Sequence, residues 1–309
     1  MTAQPGQIRI RAVVIGGSGQ IGGWLLHWLA ARGHQAVGTY ATVPFAGLVP
    51  LDSANLDGAA AWIRAQRPDV VFYPAGFTWV DECERDPSRC RVANLEQPLN
   101  LARAAGDLGA RFVYFSSDYV FDGEDGPYDE TASPNPLSEY GRAKREAELT
   151  LAEMLGDLAL TLRTTWVYGP ERQGKNFAYQ LVRSLVSGKP LNCPSDQISS
   201  PSYGPDVALA ALTLAEQGRS GIVHVSNPEV MNRVDFARRV ANTLGLDADL
   251  IVGKPTAELG QAARRPLNSG LLTPKLDSWA PATMRPLFEC LKDFRMCVSP
   301  GTPWANPFP

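Results

Sequence analysis

Ala12-Val13-Val14-Ile15-Gly16-Gly17-Ser18-Gly19-Gln20-Ile21-Gly22-Gly23 is the stretch on which the reading of the fold turns. An apolar run, expected as a strand over residues 8–15, passes straight into glycines, and an amphipathic pattern over 20–32 follows. Gly16, Gly19 and Gly22 stand at G-x-x-G-x-x-G spacing. The first permits a tight turn, the second lets a pyrophosphate approach the backbone, and the third lets helix pack closely on strand. Unpaired N–H groups at the helix start then face the phosphates. Gly16, Gly19, Gln20, Ile21 and Gly22 are therefore the expected dinucleotide loop. Glycines alone are weak evidence; strand before and helix after strengthen them.

Outward from this loop the alternation repeats. Short apolar runs at 35–40, 70–73, 111–115 and 159–163 are separated by helical patterns at 56–66, 87–108 and 137–155. Five such units predict an α/β fold, a doubly wound parallel Rossmann-like sheet with its crevice at the strand C-termini. After about Arg163 the rhythm changes: Pro170, Pro190, Pro194, Pro201 and Pro205 punctuate helical patterns at 176–187, 206–216 and 234–244. Residues 1–165 are expected to form the dinucleotide-binding domain, with a return segment near 203–226. Residues 166–309 are expected to form mainly a smaller C-terminal substrate domain ending in a Pro-rich tail.

The 309 residues carry 29 Lys plus Arg against 32 Asp plus Glu. That balance offers no electrostatic reason to seek nucleic acid or an anionic membrane. No apolar run nears the ~18 residues of a spanning helix, and Met1-Thr2-Ala3-Gln4-Pro5 lacks the regions of a secretion signal. A cytoplasmic protein with no nucleic-acid or membrane partner is expected, as a monomer or homodimer. The five cysteines are scattered with no C-x-x-C pair, which argues against a disulfide framework or a zinc site.

At the end of the second strand Gly38-Thr39-Tyr40 carries no acid. An NAD site usually holds the ribose 2′-hydroxyl with Asp or Glu there, so NADP(H) is favoured over NAD(H), although no Arg or Lys occurs from Val37 to Leu51. Asp52, in Pro50-Leu51-Asp52, reads by itself as a loop-capping carboxylate.

The fourth strand ends in Ser116-Ser117-Asp118, and Tyr140-Gly141-Arg142-Ala143-Lys144 follows. Tyr140 and Lys144, at i and i+4, share a helix face. An ammonium there is expected to pull the phenol down toward working pH, and the phenol can then pass a proton to a carbonyl oxygen. Ser117 is placed to hydrogen-bond that oxygen. There is no G-x-S-x-G nucleophile elbow, and His27, His34 and His224 fall in structural patterns.

The G-x-x-G-x-x-G spacing resembles extended short-chain dehydrogenases/reductases. Within them, the chain is similar to the dTDP-4-dehydrorhamnose reductases and to the related regulatory β subunit of methionine adenosyltransferase. Ser116-Ser117-Asp118-Tyr119-Val120-Phe121-Asp122-Gly123 resembles S-[ST]-D-Y-V-F-D-G, and residues 136–144 resemble P-x-x-x-Y-G-x-[ST]-K. Arg163-Thr164-Thr165-Trp166-Val167-Tyr168-Gly169 is similar to R-[TS]-x-W-V-Y-G. Residues 196–203 resemble D-Q-x-G-x-P-T-Y, and residues 265–271 resemble R-P-x-N-S-x-L. The matches run in order over most of the chain.

The resemblance implies a catalytic trio of Ser117, Tyr140 and Lys144, with Asp118 a polar group beside the sugar. It implies that Thr39, Asp52, Ala75, Tyr140 and Lys144 join the glycine loop on the cofactor. It further implies that Thr78, Trp166, Asn176 and Arg265 contact a nucleotide sugar. A core tryptophan and a surface salt bridge are the plainer alternatives for Trp166 and Arg265. Two departures stand out: Tyr73-Pro74-Ala75-Gly76-Phe77-Thr78 keeps only Ala75 and Thr78 of the family's N-A-A-A-Y-T, and Ser199 replaces a glycine.

Two functions are compatible with these features. One is an NAD(P)H-dependent reductase of a nucleotide-activated 4-keto-6-deoxysugar; the other is a regulatory NADP-binding subunit. Tyr119 stands after Asp118 where dehydratases of the superfamily carry an acid, which argues against that branch.

Overall fold

The computed structural model of the protein describes residues 9–299 and Thr302. The first six strands are β1 (Arg11–Val14), β2 (Gln35–Tyr40), β3 (Leu48–Pro50), β4 (Val70–Tyr73), β5 (Arg111–Ser117) and β6 (Ala159–Thr164). Two short strands, β7 (Leu191–Pro194) and β8 (Ile198–Ser199), precede β9 (Gly221–His224). The main sheet has seven strands in the order β3-β2-β1-β4-β5-β6-β9, and every pairing in it is parallel. The chain winds outward from β1 to β3, then crosses back to β4, so the order reverses at β1/β4 and opens a crevice there.

The sheet is larger than the five-strand expectation by β3 and β9. β3 is only three residues long and escaped the pattern; β9 is the anticipated return. Buried on both faces, the central strands carry continuous apolar runs such as Val70-Val71-Phe72-Tyr73. One face packs against α1 (Gln20–Ala31) through Leu25 and Leu29. The other packs against α2 (Leu56–Gln66) through Ala59, Ala60 and Ile63.

The helix expected over 87–108 forms over 87–106, with a π-turn inside it. α3 (Val80–Arg85) and α4 (Pro87–Arg91) precede a π-turn at Val92–Glu96, and α5 (Gln97–Gly106) resumes. Pro87 and Pro98 contribute to the segmentation, since neither has an N–H to give to a continuous ladder. α6 (Glu139–Leu155) begins at a Ser138 cap, whose Oγ accepts the Gly141 N–H at 3.2 Å. α7 (Phe177–Val186), α8 (Gly204–Glu216), β10 (Met231–Asn232), α9 (Arg233–Leu244), β11 (Ile251–Lys254), α10 (Pro274–Trp279) and α11 (Leu287–Cys297) complete the order. α8 joins α1 on the sheet through Val207, Leu212 and Leu214. A separate apolar core joins α7, α9 and α11 around Tyr168, Phe236 and Phe294. β7 pairs with β11 and β8 with β10 outside the main sheet. Most of the Pro-rich tail lies outside the described residues.

Candidate active site

The glycine loop is built by steric necessity. Gly16 has φ +88°, and a Cβ on it would stand 3.1 Å from the Ala75 side chain; a Cβ on Gly22 would stand 2.2 Å from the Gly16 carbonyl oxygen. α1 therefore lies against the end of β1 only because Gly22 has no side chain. Thr39, expected on the cofactor, is instead buried beneath the loop, where its Oγ1 accepts the Gly16 N–H at 3.2 Å. α1 starts at Gly19 with no side-chain cap and no acid in its first turn. Its first amides are thus left for a ligand, and the positive end of the helix favours an anion.

A cavity of about 780 Å³ runs from this loop across the strand ends. Gly16, Gly19, Gln20, Ile21, Gly22, Ala75 and Thr78 line it, and so do Ser117, Asp118, Tyr140, Lys144, Trp166 and Asn176. A dinucleotide fits this chemistry: bare amides and glycines at one end, a lysine and a phenol at the other. Asp52 turns its carboxylate onto the Ala54 N–H at 3.0 Å, and its neighbour Ser53 lines the cavity instead. Arg265 lies outside the lining, bonded to Asp81 at 2.9 Å, with its buried Nη1 lacking a partner.

β5 delivers Ser117 and α6 delivers Tyr140 and Lys144. The Lys144 Nζ donates to the Phe115 carbonyl at 2.8 Å and lies 5.8 Å from the Tyr140 ring centroid. Burial lowers its pKa to about 8. Tyr140 departs from expectation: burial, reinforced by the Asp118 charge, pushes the phenol above its ordinary value, while its bond with Ser117 acts the other way. An ammonium weakened by the same burial does not overcome that desolvation. The phenol is therefore held protonated, as a proton donor requires.

Asp118 is almost fully buried, and among the described residues no cation is bonded to it. Ser117 Oγ donates to its Oδ1 at 3.0 Å, and Ser199 at 3.3 Å and Ser269 at 2.5 Å donate to its Oδ2. Thr165 Oγ1 and Ser199 Oγ are 2.7 Å apart. Burial raises the carboxyl's pKa and these hydroxyls oppose the rise. The hydroxyl of Ser199, where the family pattern has glycine, thus completes a ring around the carboxylate. Sequence spacing gave no sign of Ser199 or Ser269 here.

Two further groups escaped the sequence reading. Asn94, in the π-turn, grips the Phe77 peptide: its Oδ1 accepts the Phe77 N–H and its Nδ2 donates to the Phe77 carbonyl, each at 3.0 Å. Arg233 lies over the Trp166 ring at 3.8 Å and over Phe177 at 4.6 Å. Trp166 itself takes φ +41°, a strained conformation for a side chain of that size. Asn176 spends its side chain locally, its Oδ1 accepting from Ala178 N and its Nδ2 donating to Gly169 O and Glu171 Oε1. Among the described residues no acidic, histidine or cysteine cluster could hold a metal ion, and no helix is long and apolar enough to cross a membrane.

Comparison with known proteins agrees with this architecture. The probable low-salt glycan biosynthesis reductase Agl14 of Haloferax volcanii is 33% identical over 267 residues, covering 84% of this chain and 89% of the relative. The dTDP-4-dehydrorhamnose reductase of Mycobacterium tuberculosis H37Rv is 32% identical, covering 90% and 88%. The crystal structure of a dTDP-4-dehydrorhamnose reductase from Bacillus anthracis in complex with NADP superposes with a TM-score of 0.85 at 28% identity, covering 94% of this chain and 99% of that one. Residues 10–295 match the model of the RmlD substrate binding domain. With that match spanning nearly the whole chain, and with these relatives, the protein belongs to the RmlD substrate-binding domain family.

Proposed function

We propose that the protein is an NADP(H)-dependent reductase of the 4-keto group of a nucleotide-activated 6-deoxysugar. The observation that carries this reading is the convergence of Ser117, Tyr140 and Lys144 on the cavity that begins at the glycine loop. Bound there, NADPH supplies the hydride. Tyr140, held protonated by burial, donates its proton to the carbonyl oxygen as that oxygen gains charge. Ser117 turns its hydroxyl hydrogen from Asp118 onto the same oxygen, and Lys144 holds the ribose hydroxyls. The loop amides and Gln20 hold the pyrophosphate. Ala75 and Thr78 line the cavity between the glycine loop and the trio's end. Trp166 and Asn176, which line the cavity, form the sugar side. Residues from about 166 onward, apart from α8 and β9, make the smaller substrate domain.

The relatives support this reading: three are named for a keto-sugar or glycan reductase activity, and one of these is in complex with NADP. The test is NADPH oxidation followed at 340 nm with purified protein and dTDP-4-keto-6-deoxysugars. Stoichiometric loss of NADPH with formation of a dTDP-6-deoxyhexose is the expected result. Tight NADPH binding with no turnover of any nucleotide keto sugar would reject the enzyme and favour the regulatory subunit.

A further inference from the structure

Trp79 is 59% exposed, and of the exposed large apolar side chains among the described residues it is the one that lines the cavity. The other tryptophans are differently placed. Trp24 and Trp28 donate their indole N–H groups to the Pro170 and Pro205 carbonyls at 2.8 and 2.9 Å. Trp166 and Trp279 each lie beneath an arginine, Arg233 at 3.8 Å and Arg219 at 4.6 Å. The Trp79 indole has no ring, cation or hydrogen-bond partner among the described residues. A broad apolar surface held open in a cavity wall is the mark of a ligand contact, since an indole gains most when something flat and apolar covers it.

The backbone that presents this indole is fixed. Trp79 stands in the connection from β4 to α3, where Asn94 holds both sides of the Phe77 peptide. The Cys83 Sγ reaches the Phe77 carbonyl at 3.5 Å, and the Cys83 N–H donates to the Trp79 carbonyl at 2.9 Å. Its place relative to the chemistry is also fixed. The next residue, Val80, packs with Phe77 and Tyr119 against the cluster that contains Tyr140. Thr78, Trp79, Val80, Tyr119 and Tyr140 all line one cavity, so the indole belongs to the end where the phenol meets the reacting carbonyl.

We propose that Trp79 is the wall on which the apolar edge of the 6-deoxysugar packs, its C5–H and C6 methyl, and that it sets the affinity for the sugar moiety. In such a sugar C6 is two bonds from C4, so placing the C4 oxygen at Ser117 and Tyr140 keeps the methyl within this end of the cavity. The nucleobase is separated from C4 by the ring and a diphosphate, which takes it away from this end. A methyl has no hydrogen bond to give or accept, and an indole face removes it from water without demanding one. The assignment rests on the keto-sugar reading of the site.

The test is calorimetry on the full chain with dTDP and with a dTDP-6-deoxyhexose, beside nucleotide fluorescence for NADPH. The expected result is that Trp79→Ala weakens the dTDP-6-deoxyhexose by about 10-fold while dTDP and NADPH change by less than about twofold. Trp79→Phe, which keeps an aromatic face, should retain most of the affinity. In steady-state assays the Trp79→Ala loss should fall on KM with kcat nearly unchanged, as for binding shared by ground and transition states. Equal losses for dTDP and the dTDP-6-deoxyhexose would make Trp79 a platform for the base and overturn the proposal. A matching loss for NADPH would place it on the cofactor and overturn the proposal too, as would unchanged affinity for the sugar nucleotide. A wild-type protein that binds NADPH but neither dTDP ligand would overturn the keto-sugar reading itself, a result distinct from wild-type binding that Trp79→Ala leaves intact.

Discussion

Ser117 Oγ lies 3.0 Å from Oδ1 of its neighbour Asp118, and the hydroxyl's single hydrogen rests on that buried carboxylate. The same Oγ accepts the Tyr119 N–H at 3.2 Å. The carboxylate is held from its other side by Ser199 and Ser269, which come from two segments beyond the main sheet. Ser117 is therefore aimed before any substrate arrives, and its orientation depends on how those segments seat.

Asp118→Asn alters that aim, because the amide nitrogen can no longer accept the hydroxyls that Asp118 gathers. The expected outcome is a fall in kcat of about 100-fold, the scale of a small misplacement at the reacting atoms. NADPH affinity should hold, because Asp118 carries none of the loop amides. Steady-state kinetics beside an NADPH titration separates the two; a variant with unchanged kcat refutes the aiming role.

Tyr140→Phe removes the proposed proton donor while keeping the ring that packs edge-on against Tyr119. Turnover is expected to drop by about 10²–10⁴-fold, the usual worth of general acid catalysis. Fluorescence titration should find NADPH still bound. Retention of more than a tenth of wild-type kcat would assign the proton donation elsewhere.

Lys144 gives the protein a defined pH response. Its pKa falls from an ordinary 10.5 to about 8 on burial, so between those values the unfolded chain binds more protons than the folded one. Stability from this group therefore rises with pH across that window, and below pH 8 the buried ammonium carries its full penalty. Lys144→Met is expected to be more stable relative to wild type at pH 7 than at pH 10.5. Urea denaturation at the two pH values reads the difference; a constant offset would mean that folding leaves the Lys144 pKa unshifted. Cofactor affinity in the wild type should weaken as pH rises through about 8, since the ammonium is lost.

Under the active site, Glu148 receives Arg163 Nε at 2.8 Å and Nη2 at 2.7 Å, and Ser116 Oγ at 2.6 Å, all fully buried. This ties α6 to β5 and β6 directly beneath Tyr140 and Ser117. Glu148→Ala leaves the Arg163 charge unpaired in the core and is expected to destabilise by about 3–5 kcal/mol. Thermal or urea unfolding checks it, and a change below about 1 kcal/mol, the scale of an exposed pair, would show that solvent reaches the site.

The wound sheet was legible because its signals are local. An apolar run broken by Gly16, Gly19 and Gly22, and a Tyr140–Lys144 pair at helical spacing, each encode a short-range geometry that backbone sterics and the helix period impose. β3 and the π-turn between α4 and α5 were not legible. A three-residue strand has no measurable period, and a single π-turn leaves the helix running on either side of it. Thr39 illustrates a different limit: its position in the chain suited the cofactor, but its depth in the fold turned it toward Gly16.

From sequence alone came the order of the main elements, the glycine loop and the three side chains that meet at the cavity, since these depend on neighbours within a few residues. Only tertiary structure decided what surrounds them. Ser199 and Ser269 converge on Asp118, Arg233 comes to Trp166, and burial sends Tyr140 and Lys144 to opposite sides of their expected balance. Contacts between residues far apart in the chain, and the desolvation that follows from them, have no period or spacing to read.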